Sequence, residues 1–211
     1  MQIPWKIKSW LFDKLGHFPP SALYFAQQHI TGNARIRVTE PQTSWIFHQQ
    51  IIEKTGASRL IEFGAGKSLI QNLFLSNLVD LQIVVDLNPM VDLKLVNNAI
   101  NKLVEMGADI DGSSVRTLDE LEEIYKIRYL APYDMRHTGL PSDSIDLCIS
   151  TNTLEHVPVQ SIVDILIELR RVLKHDGSIS AKIDYSDHYA HSDPSISRLN
   201  YLSYSYIYLL F

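Results

Sequence analysis

The sequence predicts an α/β protein built on an open, doubly wound parallel sheet. Three observations favour it. From Ser44 to about Tyr185, short β-rich runs alternate with helical stretches; a glycine-containing turn joins the first strand directly to a helix; and an apolar stripe at helical spacing precedes the last strand. Such alternation gives parallel strands joined by right-handed crossovers.

Each element has its own local signal. Short apolar runs predict five strands, at Arg59–Phe63, Leu81–Val85, Ile127–Leu130, Ile145–Ser150 and Ser178–Ile183. Helical spacing predicts helices at Trp45–Lys54, Lys67–Leu78, Val91–Met106 and Leu118–Tyr125, and a fifth through Ile162, Ile165, Leu166, Leu169, Val172 and Leu173. Thr55-Gly56 is expected to end the first helix with a C-cap glycine, and Asp176-Gly177 to turn the chain into the fifth strand.

Composition is that of an ordinary globular domain. The 211 residues carry a net charge of -5, which argues against a nucleic-acid partner. Cys148 is the only cysteine, so an intrachain disulfide is excluded, and its apolar neighbours indicate a core thiol. No apolar run approaches the roughly 18 residues of a membrane span. We therefore expect no transmembrane segment and, by default, a cytoplasmic location.

The N-terminal region differs from the middle of the chain. Residues 1–40 are predicted to form a helical cap, because Trp10, Leu11 and Leu15 can share one helix face. The alternative for residues 1–18 is a helix that contacts a membrane surface or a partner. Residues 41–211 form the main predicted domain.

The C-terminal region leaves two questions open. Residues 184–193 are dense in histidine and aspartate, including His188 and His191. These side chains suit a metal or an acid–base pair, but we interpret the segment as a polar, hydrogen-bonded loop and expect no metal. The apolar end, Leu209-Leu210-Phe211, is interpreted either as a strand completing the sheet or as a chain that stops short of its natural end.

The first predicted strand ends in Glu62-Phe63-Gly64-Ala65-Gly66, which opens directly into a helix. Glycines at such a turn let a ligand approach the main chain, and ligands of doubly wound sheets bind beyond the carboxyl ends of the strands. A phosphate-binding G-x-x-x-x-G-K-[S/T] loop needs glycine where Ile61 stands, and a nicotinamide-type G-x-G-x-x-G needs glycine where Leu69 stands.

The remaining interpretation depends on Glu62, two residues before Gly64. A carboxylate repels a pyrophosphate but suits a ligand with an ammonium group. S-adenosylmethionine carries both an ammonium and a sulfonium. The alternative is a tight structural turn with no ligand.

Two further carboxylates follow predicted strands. Asp86 ends the second strand, about 20 residues after Gly66, where a carboxylate accepts hydrogen bonds from ribose hydroxyls. Asp134 follows the third strand, where it is placed to accept a hydrogen bond from an adenine amino group. A plain turn at Asp86 and a solvated loop at Asp134 are the alternatives. Together the two residues favour an adenosine-containing cofactor.

Three more segments follow the glycine loop in order: Leu140-Pro141-x-x-Ser144-x-Asp146, Asn152-Thr153-Leu154-Glu155-His156-Val157, and Leu169-Arg170-Arg171-Val172-Leu173-Lys174-x-x-Gly177. They resemble the L-P-x-x-S-F-D, L-E-H-[hydrophobic] and L-R-R-V-L-K-P-G-G segments of class I S-adenosylmethionine-dependent methyltransferases with an E-x-G-x-G loop. The resemblance covers about residues 58–185. The sequence departs from the family's pattern at two places: Ser68 stands where the family often has a third glycine, and His175-Asp176 stands where it has Pro-Gly.

The resemblance implies a Rossmann-like sheet with strand order 3-2-1-4-5, in which the final antiparallel strands are short or missing. It also implies S-adenosylmethionine as the cofactor. The residues expected to bind it are Glu62, Gly64, Gly66, Asp86, Asp134 and Asn152.

The same resemblance places His156 as a general base and Glu155 as a residue that positions it or contacts the cofactor. The alternative is that both residues cap the helix beginning near Pro158. The leading hypothesis is O-methylation of a small-molecule or saccharide/lipid-linked acceptor. A degenerate cofactor-binding fold without turnover and a nicotinamide-dependent oxidoreductase are the competing hypotheses, the latter disfavoured by Glu62 and Leu69.

Overall fold

The computed structural model describes residues 38–187, 190 and 194–203. The chain divides into two compact units, and the one that ends at Ile183 holds the sheet. The other unit comprises residues 1–34 and 184–211, and its described residues include a 3₁₀ helix at Asn200–Ser203. The helical cap and the surface contact predicted for the N-terminal region fall almost wholly on residues 1–37, outside the described part.

Strands and helices alternate along the unit as predicted. The helices are α1 (Thr43–Thr55), α2 (Ile70–Leu75), α3 (Leu93–Glu105), α4 (Leu118–Tyr125) and α5 (Val159–Val172). The strands are β1 (Arg59–Phe63), β2 (Leu81–Val85), β3 (Ile127–Leu130), β4 (Ile145–Thr151) and β5 (Leu173–Lys182). Among the described residues, no helix is long and apolar enough to cross a membrane.

The five strands form one sheet in the order β3-β2-β1-β4-β5, with every pairing parallel. This confirms the predicted fold class and strand order. The bounds of β1, β2, β3 and α4 are those predicted, and Gly56 ends α1 in the left-handed region with φ 67°. The order reverses at β1, between β2 and β4, so the carboxyl end of β1 lies at the position where doubly wound sheets bind ligands.

Two predicted details are wrong. The helix after the glycine loop begins at Ile70 rather than Lys67. The Asp176-Gly177 turn does not precede the fifth strand but lies inside β5, where the register jumps from Ile145 opposite Leu173 to Leu147 opposite Ser178. The extra residues form an irregularity that replaces the expected turn. On α5, Leu166 belongs to the predicted apolar stripe and is 47% exposed, whereas Ile165 and Leu169 are buried.

Buried apolar side chains cover both faces of the sheet, as a parallel sheet requires. One cluster packs α3 and α4 against the sheet, and another packs α5 against the opposite side through Ile165, Leu169 and Val172. Cys148 belongs to the second cluster and is fully buried, which confirms the core thiol. Burial raises the pKa of that thiol above its usual range.

A buried carboxylate ties α5 to the loop after β3. Glu168 Oε1 accepts hydrogen bonds from the Thr138 backbone N–H at 2.9 Å and from its hydroxyl at 2.5 Å. The Arg171 guanidinium donates to both oxygens of Glu168 and, at 2.7 Å, to the Leu140 carbonyl oxygen. Arg171 lowers the pKa of Glu168 to about 2, with Thr138 adding to the effect.

We predict that Arg171→Ala destabilises the chain, whereas Arg170→Ala, at the exposed neighbouring position, does not. Loss of Arg171 leaves buried acceptors less well satisfied, so the free energy of unfolding in urea should fall by about 1–3 kcal/mol, against about 0.5 kcal/mol or less for Arg170→Ala. The contribution of Glu168 is present above its ordinary pKa of 4.5 and is lost as the pH falls to about 2. Equal losses in both variants would contradict this assignment.

Candidate cofactor site

Glu62 lies near the carboxyl end of β1 and is only 3% exposed. Its Oε1 accepts a hydrogen bond from Gln71 Nε2 at 3.0 Å, and its Oε2 accepts one from Asn72 Nδ2 at 2.6 Å. Burial, opposed by the Asn72 hydrogen bond and reinforced by the charge of Asp86, raises the pKa of Glu62 from 4.5 to about 8. The carboxylate therefore lies beneath the glycine loop, held by two amides from the first turn of α2.

The two glycines of the loop have positive φ but different surroundings. Gly64 has φ 77°, and a Cβ atom built there would overlap the Thr153 side chain. Gly66 has φ 76°, and a Cβ atom built there would meet nothing within 4 Å. Both backbones suit glycine, but for different reasons: Gly64 admits the close approach of Thr153, whereas Gly66 leaves its backbone open to a ligand.

The helix after the loop starts late because Leu69 has a left-handed backbone, with φ 50°. A bulky residue in that region is a genuine outlier; here the side chain is fully buried in the core. This conformation delays α2 to Ile70 and lets its first turn place Gln71 and Asn72 against Glu62.

Asp86 follows β2 directly and is 8% exposed. Its Oδ2 accepts a hydrogen bond from the Tyr129 hydroxyl at 2.9 Å, and that hydroxyl accepts one from the Met90 backbone N–H at 2.8 Å. Burial raises the pKa of Asp86, while hydrogen bonds from Tyr129 and the Gly64 backbone lower it. Glu62 and Asp86 thus come together at neighbouring strand ends, as predicted.

Asp134 lies in the loop after β3, as the sequence predicts, but it has a partner that the sequence analysis did not identify. Its carboxylate forms a two-pronged ion pair with Arg136 and also accepts a hydrogen bond from the Arg136 backbone N–H. The Arg136 guanidinium lowers the pKa of Asp134. Among the described residues, neither Glu62 nor Asp86 forms such an ion pair.

The chain after β4 passes beside the glycine loop. Asn152 is exposed and has a left-handed backbone with φ 52°. The Thr153 hydroxyl lies 3.4 Å from the Gly64 carbonyl oxygen and 3.2 Å from that of Thr151. Asparagine adopts this left-handed conformation more readily than most other non-glycine residues.

Glu155 and His156 belong to a short 3₁₀ helix, Leu154–His156, just beyond β4. His156 is exposed and Glu155 is half-buried. The N-cap of α5 is Pro158, which supplies no side-chain hydrogen bond. Of the histidine- and aspartate-rich loop, the structure describes residues 184–187 and 190, whereas His188 and His191 lie outside the described residues, so its role stays a prediction.

Sequence reasoning missed Gln71, Asn72 and Tyr129, the residues that hold the two buried carboxylates. These three residues belong to no sequence motif with a characteristic spacing, so the sequence alone does not identify them. The available signal is positional: Gln71 and Asn72 fall in the first turn after the glycine loop, and a polar pair there can reach back to the strand.

The residues present fit S-adenosylmethionine. The backbone of Gly66 is open at the loop, and two buried carboxyl groups without a cationic partner among the described residues lie beside it. Burial raises the pKa of both groups, so a cationic ligand that stabilises their ionised forms would have its charge compensated there. Such a site favours a cationic ligand over a pyrophosphate. The fully buried Leu69 side chain stands where a nicotinamide-type loop has its third glycine.

We predict that Glu62→Gln changes how stability depends on pH. Because the folded-state pKa of Glu62 is raised, the stability from its bound proton is fully present below pH 4.5 and is lost as the pH rises through about 8. The variant has no such loss, so its Tm relative to wild type should become more positive between about pH 5 and about pH 9 in thermal melts. Glu53→Gln, at an exposed position of α1, is the control for losing a carboxylate. A Glu62→Gln difference that is flat or falls with pH would contradict the burial argument.

The chain matches the model of the methyltransferase domain family over residues 61–181. Solved structures with a similar fold include the YcgJ protein from Bacillus subtilis (20% identity, TM-score 0.46, 72% of this chain and 54% of that one). Others are phosphoethanolamine N-methyltransferase 1 from Haemonchus contortus, in complex with phosphoethanolamine and S-adenosylhomocysteine (16%, 0.43, 69% and 26%), and the ribosomal protein L11 methylase from Lactobacillus delbrueckii (14%, 0.42, 67% and 59%).

The chain thus spans between about a quarter and three fifths of the length of these three proteins. No curated protein matches it. The family match covers the glycine loop, both buried carboxylates and the segment around His156, and it ends within β5. The predicted resemblance to methyltransferases is confirmed: the chain belongs to the methyltransferase domain family.

Proposed function

We propose that this chain binds S-adenosylmethionine at the glycine loop and transfers its methyl group to a hydroxyl of a small-molecule or saccharide/lipid-linked acceptor. The observation that carries the proposal is the pairing of an open Gly66 backbone with the buried carboxylates of Glu62 and Asp86. When bound, the cofactor supplies a methyl group already activated by a sulfonium. The protein then has mainly to align the acceptor and exclude water.

Each cofactor-binding residue has a proposed task. Asp86, oriented by the Tyr129 hydroxyl, accepts hydrogen bonds from the ribose hydroxyls. Asp134, whose orientation the Arg136 guanidinium fixes, contacts the adenine amino group. Gly64 and Gly66 let the main chain approach the ligand, with Asn152 beside them. Glu62 is proposed to act without a direct hydrogen bond to the ligand, since both its oxygens already accept amide hydrogen bonds. The positive charge of the bound cofactor would favour its ionised form.

The acceptor side of the site is proposed to depend on His156. Its exposed imidazole follows the carboxyl end of β4, next to the segment whose Thr153 touches the glycine loop. An imidazole there can take the proton from an acceptor hydroxyl as the methyl group is transferred. Glu155, its half-buried neighbour, is proposed to position it.

The acceptor proposal extends to partners and location. A small-molecule acceptor agrees with the net charge of -5, which offers no general attraction for nucleic acid. Membrane-surface contact through residues 1–18 and a cytoplasmic location stay predictions of the sequence. The competing function, a cofactor-binding fold without turnover, predicts binding that no substitution at His156 affects.

We predict that Gly66→Ala abolishes cofactor binding whereas Gly56→Ala does not. The two glycines are a matched pair, with φ 76° and 67° and open space where the Cβ would lie. Each substitution should therefore cost a similar stability of about 1–2 kcal/mol from left-handed strain. Only the methyl group added at position 66 would enter the proposed cofactor site. Calorimetry with S-adenosylhomocysteine should therefore show lost binding for Gly66→Ala and unchanged binding for Gly56→Ala. Unchanged binding by Gly66→Ala would place the cofactor elsewhere.

We predict that His156→Asn slows methyl transfer by about 10²–10⁴-fold and leaves cofactor affinity unchanged. The assay follows S-adenosylhomocysteine release with phenol, saccharide and lipid-linked saccharide acceptors. His175→Asn, an exposed histidine near the amino end of β5, is the control. Equal rates for His156→Asn and wild type would exclude His156 as the base. Tight cofactor binding with no turnover by wild type on any acceptor would favour the fold without turnover.

A further inference from the structure

A buried histidine on α1 has no place in the proposed chemistry. His48 lies in the middle of α1 and is fully buried. Its imidazole bridges two strands: Nδ1 lies 2.7 Å from the Ser180 hydroxyl on β5, and Nε2 lies 3.0 Å from the Thr151 hydroxyl on β4. Burying so polar a group is costly unless it is fully hydrogen-bonded, so this arrangement needs a reason.

The hydrogen bonds continue from Thr151 to the glycine loop. The Thr151 hydroxyl donates to Gln71 Oε1 at 3.1 Å, and Gln71 Nε2 donates to Glu62 Oε1 at 3.0 Å. We call the resulting series, Ser180–His48–Thr151–Gln71–Glu62, the His48 chain. It joins α1, β5, β4, α2 and β1 below the candidate cofactor site.

The direction of each hydrogen bond follows from the chemistry of its groups. Gln71 Oε1 can only accept, so the single proton of the Thr151 hydroxyl goes to it. Thr151 must then accept from His48 Nε2–H, and Nδ1 must accept from Ser180. His48 is therefore neutral with its proton on Nε2. Burial and the nearby charge of Lys182 lower its pKa to about 4, in agreement with the neutral form.

The His48 chain holds both segments that flank the glycine loop. On one side, Gln71 lies in the first turn of α2, where the loop ends. On the other side, Thr151 is the last residue of β4 and precedes Asn152 and Thr153, whose side chain packs on Gly64. Because every hydrogen bond of the His48 chain is donated in the direction of Glu62, these hydrogen bonds polarise one another in the same sense.

We propose that His48 and Thr151 are positioning residues for the cofactor site: through Gln71 they hold Glu62 and the two ends of the glycine loop in the geometry that accepts the cofactor. The inference rests on the proposed function for the identity of the ligand. The positioning role concerns the geometry of the ligand-free protein as well, so it can be tested separately from the proposed function.

The test uses Thr151→Val and Thr151→Ser in the full chain. Valine keeps the shape and removes the hydroxyl, whereas serine keeps the hydroxyl. Thr55→Val, at the exposed end of α1 where the hydroxyl donates to the Ile51 carbonyl oxygen, is the matched control. Calorimetry measures S-adenosylhomocysteine affinity, hydrogen exchange measures protection of residues 63–69 without ligand, and melting controls for overall stability.

Thr151→Val should weaken S-adenosylhomocysteine binding by about 10-fold and speed exchange at residues 63–69 beyond any general destabilisation. Thr151→Ser should restore both to within about threefold of wild type, and Thr55→Val should change neither. Wild-type affinity and loop exchange in Thr151→Val, or a serine variant no better than valine, would overturn the proposal.

One measurement needs no variant. ¹⁵N NMR of the histidine side chains in the wild-type chain should show His48 as the neutral Nε2–H form at neutral pH, and an Nδ1–H form would overturn the proposal. If wild type binds neither S-adenosylmethionine nor S-adenosylhomocysteine, the proposed function fails. The histidine spectrum and the loop exchange would still decide the role of the His48 chain.

Discussion

The buried carboxylate of Glu62 is the constraint on which the rest of the site depends. An ionisable group that is 3% exposed has to be compensated, and the compensation comes from two amides rather than a cation. Those amides reach Glu62 only because the left-handed backbone of Leu69 delays α2 to Ile70. The left-handed backbone at the start of the helix and the buried carboxyl group beneath the loop are therefore parts of one arrangement.

Parallel strand order brings the other groups to the same edge. Because β1 lies between β2 and β4, the ends of these three strands deliver Glu62, Asp86 and the Thr151–Thr153 segment to one place. The segment after β4 closes over Gly64 and leaves Gly66 open. This asymmetry gives the loop one side that packs against protein and one side that a ligand can approach.

The sequence predicts most of the fold because the fold follows from regular patterns. Short apolar runs predict the first and last residues of β1, β2 and β3 correctly, and a C-cap glycine predicts the end of α1. The failures come from tertiary context. Leu69 carries no sequence signature for a positive φ, the Asp176-Gly177 signal fits an irregularity inside β5 as well as a turn, and nothing about an isolated His48 indicates partners on two strands.

The central claim is that the cofactor lies over Gly66, between Glu62 and Asp86. Chemical-shift mapping of the ¹⁵N-labelled chain during titration with S-adenosylhomocysteine tests it most directly. The account predicts saturable shifts at the backbone amides of Gly64, Ala65, Gly66 and Asp86, with none at Gly56. Saturable shifts confined to other parts of the chain, or no saturable shift at all, would contradict it.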